Sequence, residues 1–504
     1  MAKQNGADIG FENQIWDAAC ILRGNMDAAE YKNVVLGLIF LKYISDKFEK
    51  RYNDLKAEGK GFEEDIDEYT AENIFYVPPS ARWGVIAENA HTPEIGTIID
   101  DAMRSIEKEN KRLKDILPKN FARPELDKRR LGDVVDLFTN IQMSDQNEKD
   151  LLGRAYEYCL SQFASLEGKN AGEFYTPSCI VKTIVEILQP FKGRVYDPCC
   201  GSGGMFVQSA QFVANHQGNI RNISIYGQDS NSNTRKLALM NLAIRGIEAD
   251  LGDVNLSNTQ SDTFFNDLHP YLKADFIMAN PPFNISNWGA DRLINDPRWK
   301  YGLPSNSNAN FAWMQHMIHH LSPNGRIGLV LSNGSLSSQQ GNEGEIRKNI
   351  VKDDLVECII SMPSQLFYAV TIPVSLWFFN RNKSQCGKTL FIDARNMGSM
   401  VNRKLRELED EDISKIAQTF KDFENGTLES IKGFCAIATT EDISKQDYIL
   451  TPGRYVGIAN LEEDAEPFDD KMKRLAAELS ELFEKSHGLE DEIRKNLGEI
   501  GFEF

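Results

Sequence analysis

This 504-residue chain lacks any run long and apolar enough to cross a bilayer. Its longest, near residues 34–41, falls far short of the ~20 residues a spanning helix needs. The start, Met1-Ala2-Lys3-Gln4-Asn5-Gly6, lacks the apolar core of a secretory signal. No C-x-x-C pair occurs among Cys20, Cys159, Cys179, Cys199, Cys200, Cys358, Cys386 and Cys435, and the adjacent Cys199 and Cys200 are badly placed to share a metal. That scatter excludes a disulfide framework and fits reduced thiols in a cytoplasm. Positive charge is also short: 56 Lys and Arg stand against 74 Asp and Glu, a net charge of −18. So acidic a chain is ill-suited to grip a polyanion unaided. Histidines are few, and His316, His319 and His320 share one stretch without a carboxylate or cysteine at ligand spacing, so no metal is expected.

What is present is sharper. The apolar run Phe276-Ile277-Met278-Ala279 ends in Asn280-Pro281-Pro282-Phe283. Proline locks its own φ and holds the preceding residue extended. The Asn280 amide and the Pro281 carbonyl are therefore presented as two acceptors in fixed relation at a strand's end, with the Phe283 ring beside them. That arrangement suits a flat ring bearing an amino group: oxygens take its N–H groups and the aromatic stacks on its face. Taken alone, the tetrapeptide is equally a strand-ending turn.

A second motif lies upstream. Arg194-Val195-Tyr196-Asp197-Pro198-Cys199-Cys200-Gly201-Ser202-Gly203-Gly204-Met205-Phe206 reads as a strand, a glycine turn and a helix. The spacing is not the dinucleotide fingerprint G-x-G-x-x-G, which argues against a nicotinamide dehydrogenase. Asp197 stands where a pyrophosphate would be repelled and a cationic amino group would be welcome. A second strand, 223–229, ends in Asp229, whose carboxylate suits ribose hydroxyls. A helix over 234–245 follows, with Gly246 as its stop. Asp253 is placed either to meet an adenine amine or to sit in a solvated loop.

Together, the glycine turn and Asn280-Pro281-Pro282-Phe283, in that order, resemble an N6-adenine DNA methyltransferase. The chain as a whole resembles the modification (methyltransferase) subunit of a type I restriction-modification enzyme. Gly172-Glu173-Phe174-Tyr175-Thr176-Pro177 is similar to the family's segment before the glycine turn. Asn308-Ala309-Asn310-Phe311-Ala312-Trp313 and the run from Asn324 through Ser335 are similar to its post-catalytic helix and strand. Leu22-Arg23-Gly24-Asn25-Met26 and the run from Val35 to Ser45 resemble its helical N-terminal domain. The likeness spans roughly residues 10–460. Asn-Pro-Pro-Phe by itself occurs in methyltransferases of adenine, of cytosine N4 and of protein glutamine; the full set is more specific.

The resemblance implies an α/β fold: a Rossmann-like S-adenosylmethionine-dependent methyltransferase sheet of about seven strands, an N-terminal helical domain and a C-terminal helical tail. The expected divisions are 1–150 (helical), 151–400 (methyltransferase), 401–468 (a helix over 404–423 and a short closing segment) and 469–504 (a tail helix). Strands are expected over 355–361 and 374–380, as a hairpin-like antiparallel edge, with one more over 391–394; residues 56–69 read as an acidic surface loop. Leu475, Leu479, Leu482, Leu489, Ile493 and Ile500 form a coiled-coil-like seam in the tail, which either docks on a partner or packs back on its own domain. The resemblance further implies S-adenosylmethionine as cofactor, held by Glu173, Phe174, Tyr175, Thr176, Pro177, Ser178, Asp197, Gly201, Ser202, Gly203, Gly204, Asp229 and Asp253. It makes Asn280, Pro281, Pro282 and Phe283 catalytic, on an adenine flipped out of double-stranded DNA. The implied partners are a specificity subunit that reads the sequence, a restriction subunit and a second copy of this chain. Arg292, Arg298, Lys300, Arg347 and Lys348 fall in loops flanking the target pocket, as candidate phosphate contacts or, more simply for any single one, solvated surface charge. The alternatives are a solitary methyltransferase acting on DNA, RNA or protein glutamine, and an assembly module with a decayed site.

Overall fold

Short runs rich in Val, Ile and Leu, bounded by polar turns, build the centre of the protein. The computed structural model describes residues 28–140 and 176–458 except 217, 368–372 and 404, the helix over 468–499, and single residues within 16–22 and 156–163. The strands are β1 (Gly193–Asp197), β2 (Ile223–Gly227), β3 (Ala249–Asp250), β4 (Ala274–Ala279), β5 (Leu321–Ser332), β6 (Val356–Ser361), β7 (Val374–Asn380), β8 (Lys388–Asp393), β9 (Ser399–Met400), β10 (Arg406–Glu407) and β11 (Cys435–Thr439). Nine of them form one sheet in the order β11-β8-β6-β7-β5-β4-β1-β2-β3. Neighbours are parallel except β7, which runs antiparallel to β5 and β6, and β11, antiparallel to β8. β9 and β10 are a separate two-stranded hairpin. The C-terminal ends of β1, β4, β5, β6 and β8 therefore share one edge of the sheet, where a doubly wound fold places its ligands.

Helices make up much of the rest. Among the described residues they are α1 (Ala28–Glu58), α2 (Ile66–Thr70), α3 (Trp83–Glu88), α4 (Ile95–Glu109), α5 (Lys128–Asn140), α6 (Ser178–Leu188), α7 (Gly204–Asn215), α8 (Ser232–Ile244), α9 (Asn310–His320), α10 (Glu343–Lys352), α11 (Asp410–Glu424), α12 (Thr440–Lys445) and α13 (Phe468–Glu499). α6, α7 and α11 bury their apolar sides with Val195, Met278, Val330 and Phe378; α9 and α10 close the other face over Ile277, Leu329, Trp377 and Phe391. The helices before residue 140 form a third core, and Leu237, Met240 and Ile244 of α8 belong to it. The Tyr43 hydroxyl donates to the Ile244 carbonyl across that junction. Residues 1–456 form one compact unit and 457–504 another.

Several expectations change. The sheet has nine strands rather than about seven; β3 is only two residues long, and β11 mixes small and polar residues. The β6–β7 pair is interior: β7 is buried along its whole length between β5 and β6, and β8 and β11 continue the sheet beyond. The helix expected over 404–423 starts only at Asp410, where Glu409 and Asp412 form a capping box; the residues before it turn into the β9–β10 hairpin. The stretch 56–69 is not one loop, since α1 runs to Glu58 and α2 starts at Ile66.

Candidate active site

The glycine turn forms because β1 ends in a residue that caps its own turn. Asp197 Oδ1 accepts from the Cys199 amide at 3.0 Å. Gly201 (φ 52°) and Gly203 (φ 80°) then take backbone angles that other L residues rarely adopt. Gly203 is the N-cap of α7, so the helix's unpaired N–H groups open onto the same edge. Asp229, just past β2, ties the two strand ends together: its Oδ2 accepts from the Gly201 amide at 3.1 Å and its Oδ1 from Asn231 at 2.8 Å. The turn is held from behind by Asn241, which donates to the Ser202 carbonyl at 2.9 Å. Gln228, fully buried, bonds the Ser261 and Asn266 carbonyls and the Leu268 amide. Asn241 and Gln228 were not legible as site residues, because their partners lie 39 and 33–40 residues away.

Two carboxylates in one buried place repel each other. Burial, with Asp229 nearby, pushes the Asp197 carboxyl up to about 7, although the Cys199 amide works the other way. Burial and both carboxylates raise the Cys199 and Cys200 thiols well above their ordinary range, so neither is a ready nucleophile.

The Asn280 corner stands at the end of β4, next to β1 in the sheet. Asn280 Nδ2 donates to Thr176 Oγ1 at 3.1 Å, while Asn280 Oδ1 has neither solvent contact nor a partner among the described residues. Both bonded residues precede a proline, and Thr176 is β-branched, so each side of this contact is conformationally restricted. The Phe283 ring meets Phe367 edge to face with centroids 6.4 Å apart. Behind the corner, Asn284 (φ 55°) is anchored: its amide donates to Asn310 Oδ1 at 3.0 Å, and its Oδ1 accepts from Asn310 at 2.9 Å and Ser332 at 3.3 Å. Asn333 Oδ1, just past β5, is another buried acceptor without a partner among the described residues. An unpaired buried oxygen is costly, and an incoming N–H would relieve that cost.

Of the residues expected here, Thr176, Pro177, Ser178, Asp197, the glycine turn, Asp229 and the 280–283 corner gather at one sheet edge. Glu173, Phe174 and Tyr175 lie outside the described residues. Asp253 is exposed and accepts from the Asn255 amide at 2.8 Å. Arg298 and Arg347 are not phosphate contacts but interior braces. Arg298 is 8 % exposed and binds Asp296, His316 and two carbonyls; Arg347 is fully buried and bonds the carbonyls of Tyr448, Ser335 and Ser338. Lys300 pairs with Asp353, Lys348 with Glu345, and Arg292 lies over the Phe265 ring.

The histidine stretch does acquire a carboxylate: Asp267 arrives from a distant loop, so that Asp267, His316 and His320 come within 4.8 Å. The ring nitrogens are already engaged. His316 meets Tyr196 Oη and Arg298; His320 meets Asp267 and the Leu272 carbonyl. Burial, then His320, lowers the His316 pKa well below the usual value. Burial alone would raise the Asp267 carboxyl, yet the His320 bond and the two imidazoles hold it far below the ordinary range. With Arg298 at 3.0 Å from His316 Nδ1, the cluster is a hydrogen-bond network hostile to a cation.

A model of the N-6 DNA methylase family matches residues 147–464, and one of the HsdM N-terminal domain matches 11–138. The chain is 48 % identical to the type I restriction enzyme HindI methylase subunit of Haemophilus influenzae, over 85 % of this chain and all of that one. It is 40 % identical to the MjaIX methylase subunit of Methanocaldococcus jannaschii, over 98 % and 92 % of the two chains. Its fold is similar to the crystal structure of a type I restriction-modification methyltransferase subunit from Streptococcus thermophilus, with a TM-score of 0.75 at 24 % identity over 88 % and 98 % of the two chains.

Proposed function

The chain belongs to the N-6 DNA methylase family as a type I restriction enzyme methylase subunit, and from that premise we propose that the Asn280 corner and the glycine turn are its site of adenine-N6 methyl transfer. The observation that carries this reading is the orphaned Asn280 Oδ1 at the turn's edge, held by an amide whose other end is bonded to Thr176.

The residues fit S-adenosylmethionine. The buried Asp197 carboxyl is raised in isolation and gains a partner when a cationic amino group arrives. Asp229 lines the second strand end for a ribose, and Gly201, Gly203 and Gly204 leave no side chain in the way. When bound, the cofactor supplies an electrophilic methyl group.

Everything else is positioning. The adenine N6 lone pair is delocalised into its ring and is a poor nucleophile. Asn280 Oδ1 and the Pro281 carbonyl accept the two N6 hydrogens, favour a pyramidal nitrogen and stabilise the positive charge that grows on it. Pro281 and Pro282 keep both acceptors where they are, and Phe283 stacks on the base. Alignment does the rest. A duplex hides N6 from such a corner, so the target base is flipped out.

The −18 charge supports a division of labour in which a specificity subunit supplies the basic, sequence-reading surface for double-stranded DNA. On α13, Leu475, Leu479, Leu482, Leu489 and Ile493 are 42–57 % exposed, a stripe suited to that subunit's helices. A restriction subunit and a second copy of this chain complete the proposed complex, which works in the cytoplasm; no described helix is long and apolar enough to cross a membrane. A solitary enzyme is not favoured, since the relatives above are subunits. The test is Asn280→Ala in the assembled complex: methylation of adenine is expected to fall by about 100-fold or more with cofactor affinity by calorimetry unchanged. A near-normal rate would remove Asn280 from the mechanism.

A further inference from the structure

The short hairpin β9–β10 is an oddity in an acidic protein: its turn exposes apolar side chains beside an arginine. Met400 is 44 % and Val401 57 % exposed, Arg403 is exposed, and Lys404 follows in the sequence. The hairpin is nevertheless built firmly. Met400 pairs with Arg406 and Ser399 with Glu407. The Val401 amide donates to the Leu405 carbonyl at 3.0 Å, and the Leu405 amide to Asn402 Oδ1 at 3.0 Å. At its base Gly398 (φ 79°) brings the Glu407 carbonyl to 2.6 Å from where a Cβ would stand, so only glycine closes it. Arg406 braces it from inside through the Met397 carbonyl at 3.0 Å.

Its place in the fold matters more. β8 runs parallel to β6, and its C-terminal end at Asp393 lies level with Ser361. The chain leaving β8 therefore emerges on the edge that carries the glycine turn and the Asn280 corner. The Arg406 amide donates at 2.8 Å to the carbonyl of Gln365, two residues before Phe367, whose ring meets Phe283. On the other side, Leu408 shares a core with Cys179 in the first turn of α6, three residues after Thr176.

We infer that the β9–β10 hairpin is a DNA-contacting element at the rim of the target pocket, with Arg403 on the phosphate backbone and Met400 and Val401 against the bases beside the flipped adenine. The inference rests on the adenine-methylating reading above. A duplex with an extruded base exposes apolar base faces beside a dense line of phosphates. Apolar side chains inserted at such gaps are an established way to hold a distorted duplex. Within 398–408 the chain carries Arg403, Lys404 and Arg406 against Glu407, ahead of the acidic run Glu409 to Asp412 that opens α11. Arg403, exposed in the hairpin's turn, is the cation offered to a phosphate.

The experiment uses the complex with its specificity subunit and a duplex carrying 2-aminopurine at the target adenine. Met400→Ser with Val401→Ser is expected to cut the rise in 2-aminopurine emission by half or more, and to lower kcat/KM for methylation by about tenfold, while assembly and cofactor affinity stay unchanged. Arg403→Ala is expected to weaken DNA binding by about 3- to 10-fold and to reduce the slope of log K against log salt by about one. Wild-type emission and slope in both variants overturn the inference. So does loss of assembly with the specificity subunit, which would make the hairpin a protein interface. A wild-type complex that neither binds nor methylates adenine duplexes would defeat the function reading, a result distinct from either.

Discussion

Replacing Thr176 with valine removes one oxygen and keeps the shape. The 3.1 Å bond from Asn280 Nδ2 disappears, and the amide is left with a second unsatisfied atom beside the already orphaned Oδ1. A buried donor stripped of its partner costs about 1–3 kcal/mol. Asn280 is only half-buried, so the lower part of that range applies, about 1–2 kcal/mol. A hydroxyl can accept or donate, so Thr176 fixes the plane of the amide, and an arriving amino group selects the orientation with Oδ1 facing it. Valine frees that plane, and the loss falls on the transition state, where the oxygen must be in place. At about 1.4 kcal/mol per tenfold, kcat should fall by about 5- to 30-fold. That is less than for Asn280→Ala, which removes the acceptor itself. Thr176→Ser keeps the oxygen and should recover most of the rate. The assay is steady-state methylation by the assembled complex with saturating S-adenosylmethionine, alongside calorimetry of cofactor binding. In an Asn280→Ala background the valine change should add almost nothing, since partners in one contact are not additive. The reasoning fails if Thr176→Val keeps kcat within twofold and instead weakens cofactor binding. Thr176 would then be the cofactor contact that its place in the sequence suggested.

Cofactor affinity should fall with acid, because Asp197 titrates near 7 before a cation arrives and must be ionised to pair with it. Calorimetry should show affinity about tenfold weaker at pH 6 than at pH 8, with proton release on binding below pH 7; Asp197→Asn should bind weakly at every pH, and a flat profile in the wild type would refute the pairing. The same raised carboxyl gives the opposite trend in stability without cofactor. Its contribution is fully present below the unfolded-state pKa near 3.9 and is lost as pH climbs through about 7, so the melting temperature of the cofactor-free protein should decline across that window. In the tail, Leu479→Asp with Leu482→Asp should abolish co-purification with the specificity subunit and leave calorimetric cofactor binding intact; retained assembly would show that the stripe docks elsewhere.

The amino-acid sequence by itself determined everything that depends on neighbours in the chain. Asp197 and the glycines after it make a strand-to-helix turn because a side chain two residues away caps it and positive φ is needed within four positions. Asn280 before two prolines makes a stiff corner for the same local reason. The tail helix and its stripe follow from spacing alone. Tertiary structure decided what depends on approach across the sheet. It joined Thr176 to Asn280 over 104 residues and Asp229 to Gly201 over 28. It also turned Arg298 and Arg347 inward onto carbonyl clusters assembled from separate loops. Asp267 reached His320 by the same means, so histidines that looked unpartnered became a closed network. Charge, too, was readable as a total but not as a place. A chain of net −18 shows no sign in its composition that Arg403 stands exposed on the edge that carries the glycine turn. Only the parallel course of β6 and β8 carries the hairpin there, and strand direction is set by which strands pair, a choice made by burial over the whole sheet.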